Sequence, residues 1–178
     1  MEHQSVLNSL VAALESNSPV VQAEAVKALH GLSLPAAELS AAIAAVPPGL
    51  SSLLALLSSS SDDVQGVAIQ LLSKLATGSA ADSAAIATLP GALSTLCDCL
   101  QSCTADMQHD AAAVLSSIAR SSPDGSIAVA AEPGAVASLF SLMHSSDQMV
   151  RQTAATAVWT IAWRGGQDSC DYLRAHDP

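Results

Sequence analysis

Apolar positions in this chain follow two nested periods. Within residues 104–119, TADMQHDAAAVLSSIA, they fall three, seven, eleven and fourteen residues after Thr104. That spacing puts Met107, Ala111, Leu115 and Ile118 on one face of an α-helix, because side chains three and four apart share a face. The same stripe recurs at shifts of 43 residues. Its opening residues are Ser18, Ser61, Thr104 and Asp147, followed by Val21, Val64, Met107 and Val150. Next come Ala25, Ala68, Ala111 and Ala154, then Leu29, Leu72, Leu115 and Val158, then Leu32, Leu75, Ile118 and Ile161. Four copies without insertion or deletion predict a stacked helical repeat. Ser, Thr and Asp at the opening position predict N-caps, since a short side-chain oxygen accepts a bond from an orphan N–H of the first turn.

A second helix precedes each long one. Residues 5–16 carry Leu7, Leu10 and Leu14 on one face, and the ladder continues through Leu50, Leu53 and Leu57, then Leu93, Leu96 and Leu100, then Val136, Leu139 and Met143. Short polar turns join the two, which makes an αα-hairpin. A third, shorter helix follows each long one, marked by Ile43, Ile86, Val129 and Tyr172. It ends at Pro47-Pro48-Gly49, Pro90-Gly91 or Pro133-Gly134, because the residue before proline is pushed out of the α region. The chain therefore reads as one all-α domain over residues 1–178. It holds three complete units, 35–78, 79–121 and 123–165, with a partial unit over 1–34 and a short terminal helix over 167–176 that begins the partial unit 167–178.

The segments PGALSTLCDCLQ and TADMQHDAAAVLSSIA, and PGAVASLFSLMHSSDQMVRQTAATAVWTIA, resemble the armadillo repeat across nearly the whole chain. The short helix with its Pro-Gly break separates this pattern from two-helix solenoid units. The resemblance implies a right-handed α-solenoid whose concave groove, lined by the long helices, binds extended peptides. In importin-α-like members a Trp and an Asn four apart on each long helix grip the ligand. The matching positions are Lys27/Gly31, Gln70/Lys74, Ala113/Ser117 and Thr156/Thr160, none of them that pair. The groove residues expected to meet a peptide are Glu24, Lys27, Gln70, Lys74, Asp110, Thr156 and Thr160.

Composition narrows the function. Lys plus Arg number 6 against 16 Asp plus Glu, a formal charge of −10. Phosphate backbones and anionic bilayers are held by clustered cations, so no nucleic-acid or membrane partner is expected. No secretory signal is visible in MEHQSVLNSL, and free thiols in a cytoplasmic setting are expected, with nuclear or ciliary settings as variants. Cys97, Cys99 and Cys103 have the wrong spacing for a zinc site and two of them fall at apolar helix positions, so they read as core fillers, with no metal and no cofactor. His109-Asp110 has no nucleophile fixed beside it, and no enzyme is expected. The aromatics cluster late: Trp159, Trp163 and Tyr172 suggest an anchor at an exposed C-terminal end, since Trp and Tyr are favoured at interaction hot spots. Self-association through that end is a further expectation. The leading function is a non-enzymatic module that binds a protein or extended peptide. The alternative is a structural segment of a longer array docked in a cytoskeletal or ciliary assembly.

Overall fold

Helix breaks fall where the sequence punctuates the chain. The computed structural model describes residues 2–16, 18–46, 48–102 and 104–166. Among them are eleven helices and no strand. A first pair, α1 (Glu2–Ala13) and α2 (Pro19–Gly31), is followed by three triplets. These are α3 (Ala36–Ala44), α4 (Gly49–Leu56) and α5 (Asp62–Gly78); α6 (Ala80–Thr88), α7 (Ala92–Leu100) and α8 (Ala105–Ser121); and α9 (Pro123–Ala131), α10 (Ala135–Leu142) and α11 (Gln148–Arg164). The first helix starts earlier than the leucine stripe suggested. It ends at Ala13 because Leu14, Glu15 and Ser16 tighten into i→i−3 turns on Val11, Ala12 and Ala13. The short helix expected over 167–176 lies outside the described residues, as do Tyr172, Cys103 and Cys170.

Two of the breaks, Pro90-Gly91 and Pro133-Gly134, turn on a left-handed glycine. Gly91 and Gly134 stand at φ 74° and 82°, left-handed values that an L side chain adopts only under strain. The chain turns sharply there, so α6 and α7 lie 101° apart and α9 and α10 lie 87° apart. No single described helix is long and apolar enough to cross a membrane.

The turn before each long helix repeats four times, on an unexpected atom. Ser18, Ser61 and Thr104 sit in the extended cap conformation but make no side-chain cap bond; only Asp147 does, accepting from Val150 N at 3.0 Å. The constant element is the serine two residues earlier. The hydroxyls of Ser16, Ser59, Ser102 and Ser145 accept the N–H of Ser18, Ser61, Thr104 and Asp147 at 3.2–3.3 Å. Four residues into the helix, a long polar side chain reaches back over this turn. Gln65 donates to Ser59 O at 2.6 Å, Gln108 to Ser102 O at 2.7 Å and Arg151 to Ser145 O at 2.8 Å. In these three turns two otherwise orphaned backbone groups are thereby satisfied.

The core runs the length of the stack. The stripe alanines Ala25, Ala68, Ala111 and Ala154 are all buried, and Leu29, Leu72 and Leu115 lie above them. α8 packs between α5 and α11, with α2 on the far side of α5. Small residues at the crossing permit this close approach, as in other tightly stacked solenoids. The stripe weakens in three places, one of them Val158 on α11, which is only half-buried. The others are Val21 on α2 and Leu32, its C-cap residue, each 43% exposed, whereas Val64, Met107 and Val150, and Leu75, Ile118 and Ile161, are buried.

Candidate functional site

The long helices carry the polar residues that face one another from rung to rung. Between the N-terminal halves of α5 and α8 lies a cleft of about 320 Å³, lined by Asp62, Asp63 and Gln70 on one side and Asp106, Met107 and Asp110 on the other. The acids at 62, 63 and 106 occupy first helical turns, where the helix dipole favours negative charge. Asp110 lies one turn further in. Burial pushes its carboxyl above the ordinary value, while a hydrogen bond from Ser73 and the nearby His109 pull it back. Among the described residues no Lys or Arg lines this cleft.

The structure thus brings Gln70 and Asp110 together and adds Asp62, Asp63 and Asp106 to them. Asp62 and Asp63 escaped the sequence reading because acidic residues after a cap are so ordinary that they signal only a helix start. Lys74 joins Gln70, Leu71 and His30 around a smaller cavity of about 100 Å³ between α2 and α5. Glu24 and Lys27 form an ion pair at 4.0 Å on α2. Thr156 is exposed, and its hydroxyl donates to Gln152 O at 2.8 Å. Thr160 is placed differently from the groove expectation: it is buried, with its hydroxyl on Thr156 O at 2.7 Å.

His109 and Asp110 do not act as a pair. His109 Nδ1 meets the Thr153 hydroxyl of α11 at 2.8 Å, while Asp110 turns to Ser73 of α5. Neighbouring helix residues diverge in this way by about 100°. A base needs its orienting carboxylate on its own ring, so the Thr153–His109 contact is a tie between rungs. Cys97 and Cys99 are buried on α7. Burial, with Glu132 and Asp98 nearby, pushes the Cys97 thiol up to about 12; burial and Asp98 push Cys99 to about 11. Thiols held so firmly protonated are poor nucleophiles and poor metal ligands. Among the described residues no three His, Cys, Asp or Glu side chains converge as a metal site.

Trp159 and Trp163 are 62% and 72% exposed. Their rings stack with centroids 5.9 Å apart and planes at 8°. Gly165 and Gly166 follow as the helix stop, with Gly166 at φ 60°.

No family model and no curated protein matches the chain. Solved structures do share its fold. An engineered protein of known crystal structure superposes with a TM-score of 0.81 at 29% identity, over 96% of this chain and 67% of its own. Computationally designed armadillo repeat proteins for modular peptide recognition align at a TM-score of 0.82 and 25% identity, over 97% of this chain and 71% of theirs. A designed armadillo repeat protein in complex with the peptide (KR)4 aligns at 0.79 and 24% identity, over 97% and 70%.

Proposed function

We propose that this chain, an armadillo-like α-solenoid, is a non-enzymatic interaction module that holds an extended basic segment of a partner protein along its long helices. The observation that carries this reading is the cleft between α5 and α8, where Asp62, Asp63, Asp106 and Asp110 converge. A Lys or Arg side chain laid into it places its methylene stem against Met107 and its charge among the carboxylates. Asp110 gains most from such a guest, because its own charge is disfavoured by burial. Gln70, which also lines the cleft, offers an amide to the peptide backbone. The fold's use for peptide recognition in designed relatives supports the same mode.

The test is fluorescence anisotropy with a labelled peptide of alternating Lys and Arg. Saturable binding is expected, weakening as salt screens the cleft over a Debye length of about 8 Å at physiological ionic strength. The double variant Asp106→Asn/Asp110→Asn is expected to lose about tenfold or more in affinity, equivalent to roughly 1.4 kcal/mol. Absence of saturable binding at low salt, or a double variant that binds unchanged, overturns the reading.

A further inference from the structure

The cleft between α5 and α8 is centred on a residue with no side chain. Its α5 wall includes Asp62, Asp63, Ile69 and Gln70, which stand four and three residues before Gly66 and three and four after it. On a helix those positions surround a residue's side chain, so the cleft is the space that a side chain at 66 would enter. Among the described residues nothing calls for a glycine there. Gly66 is the fifth residue of a seventeen-residue helix, where glycine is less favourable than alanine because it loses more backbone freedom on folding. Its φ is not among the positive ones, and a Cβ added to it meets nothing within 4 Å. At Gly49, Gly78 and Gly125 an added Cβ runs into Val11, Ala36 or the Ile118 carbonyl, so packing accounts for those glycines. Gly31 and Gly134 also have open space, but they stand at helix ends, where glycine is common.

The ladder shows what can fill this space. The counterparts of Gly66 in the other rungs are Ala23, His109 and Gln152. His109 bridges to the next rung, with its Nδ1 2.8 Å from the Thr153 hydroxyl of α11. Between α5 and α8 glycine supplies no such bridge, and the opposite wall is Asp106, Met107 and Asp110. The open place therefore suits a side chain that spans two rungs, with carboxylates at its rim and a thioether along its length. An unbranched methylene stem with a cationic head has that chemistry.

We propose that Gly66 is the specificity-determining residue of the cleft. Its missing side chain leaves a slot for one Lys or Arg side chain of the partner segment, which takes between α5 and α8 the place that His109 takes between α8 and α11. The inference rests on the peptide-binding reading above and adds shape to charge. Carboxylates alone attract any cation, whereas a slot over Gly66 admits one extended side chain and lets its stem lie against α5 and Met107.

The experiment compares the wild type with Gly66→Ala and Gly66→Gln, by anisotropy with the labelled peptide of alternating Lys and Arg and by thermal unfolding. Gln is the residue that the last rung carries at this position, and both substitutions leave every carboxylate in place. Gly66→Ala is expected to melt about 2–4 °C above the wild type, the shift that a better helix former gives in a chain of this size, and to bind severalfold more weakly. Gly66→Gln is expected to melt no lower than the wild type and to lose about tenfold or more in affinity. Stability and affinity then move in opposite directions, which a loss of folding cannot imitate. Wild-type binding that Gly66→Gln leaves unchanged, while Asp106→Asn/Asp110→Asn weakens it, overturns the slot and leaves the acidic cleft standing. A Gly66→Ala chain that melts below the wild type also overturns the slot, because packing then accounts for the glycine. A wild type without saturable binding overturns both readings.

Discussion

Helix α8 and helix α2 carry the same stripe in different surroundings. α8 lies between α5 and α11, and Met107, Ala111, Leu115 and Ile118 are all buried. On α2, Ala25 and Leu29 are buried against the rest of the stack while Val21 and Leu32 face water. Identical spacing therefore gives a four-residue core in one rung and a two-residue core in the other. A solenoid residue owes its burial to the neighbouring unit as much as to its own helix, which is why stability in such proteins is close to a sum over units and interfaces.

The sharpest way to test that difference is to truncate one member of each stripe. Leu115→Ala in α8 is expected to cost about 2–5 kcal/mol, the range for a fully buried leucine, read from urea unfolding. Leu32→Ala, in the stripe that includes α2, is expected to cost well under half as much, because that side chain is 43% exposed already. Equal losses at the two sites mean that α2 is covered in solution.

The buried thiols of α7 tie the stability of the interior to pH. Folded Cys97 and Cys99 keep their protons to about 12 and 11, whereas an unfolded thiol releases its proton near the ordinary value of 9.0. Above that value the unfolded chain binds fewer protons than the folded one, so stability falls as pH rises past 9.0 and is unaffected by these groups below it. Melting temperatures between pH 8 and pH 10.5 are expected to drop for the wild type and to flatten in Cys97→Ala/Cys99→Ala, each profile referred to its own value at pH 8. A double variant with the same slope as the wild type removes the thiols from the account.

A smaller effect is expected from the repeated turn. Ser102→Ala before α8 should cost about 1 kcal/mol, the usual net value of a hydrogen bond. Ser16→Ala before α2 should cost less, because an end rung can fray without exposing its neighbours. The smallest effect is at the Glu24–Lys27 pair. At 4.0 Å and with both side chains largely in solvent, its loss in Lys27→Ala should change stability by less than about 0.5 kcal/mol.

The fold was legible because a 43-residue shift superposes stripe on stripe, and small alanines at the crossing leave no doubt which face is inward. The Pro-Gly breaks were legible because only backbone chemistry was needed to read them. The cap chemistry was misread. Both Ser59 and Ser61 offer a hydroxyl near the helix start, and spacing alone does not say that the earlier one takes the bond. Thr160 looked like a groove residue because it is polar and four from Thr156. Its hydroxyl is satisfied by its own helix, so it is buried at little cost. The cleft acids were half legible: Asp110 stood out as a charge in mid-helix, while Asp62 and Asp63 looked like helix-start residues. Trp159 and Trp163 were visible as an aromatic pair four apart, but that their rings stack in parallel, 5.9 Å between centroids, needed coordinates.

The central claim is that four copies of one helix differ in exposure only through what stands beside them. Native-state hydrogen exchange, resolved by residue, tests it most directly. The account predicts that amides of α5 and α8 exchange slowest and at similar rates, and that those of α2 exchange markedly faster despite the shared sequence pattern. Protection of α2 equal to that of α8 contradicts it.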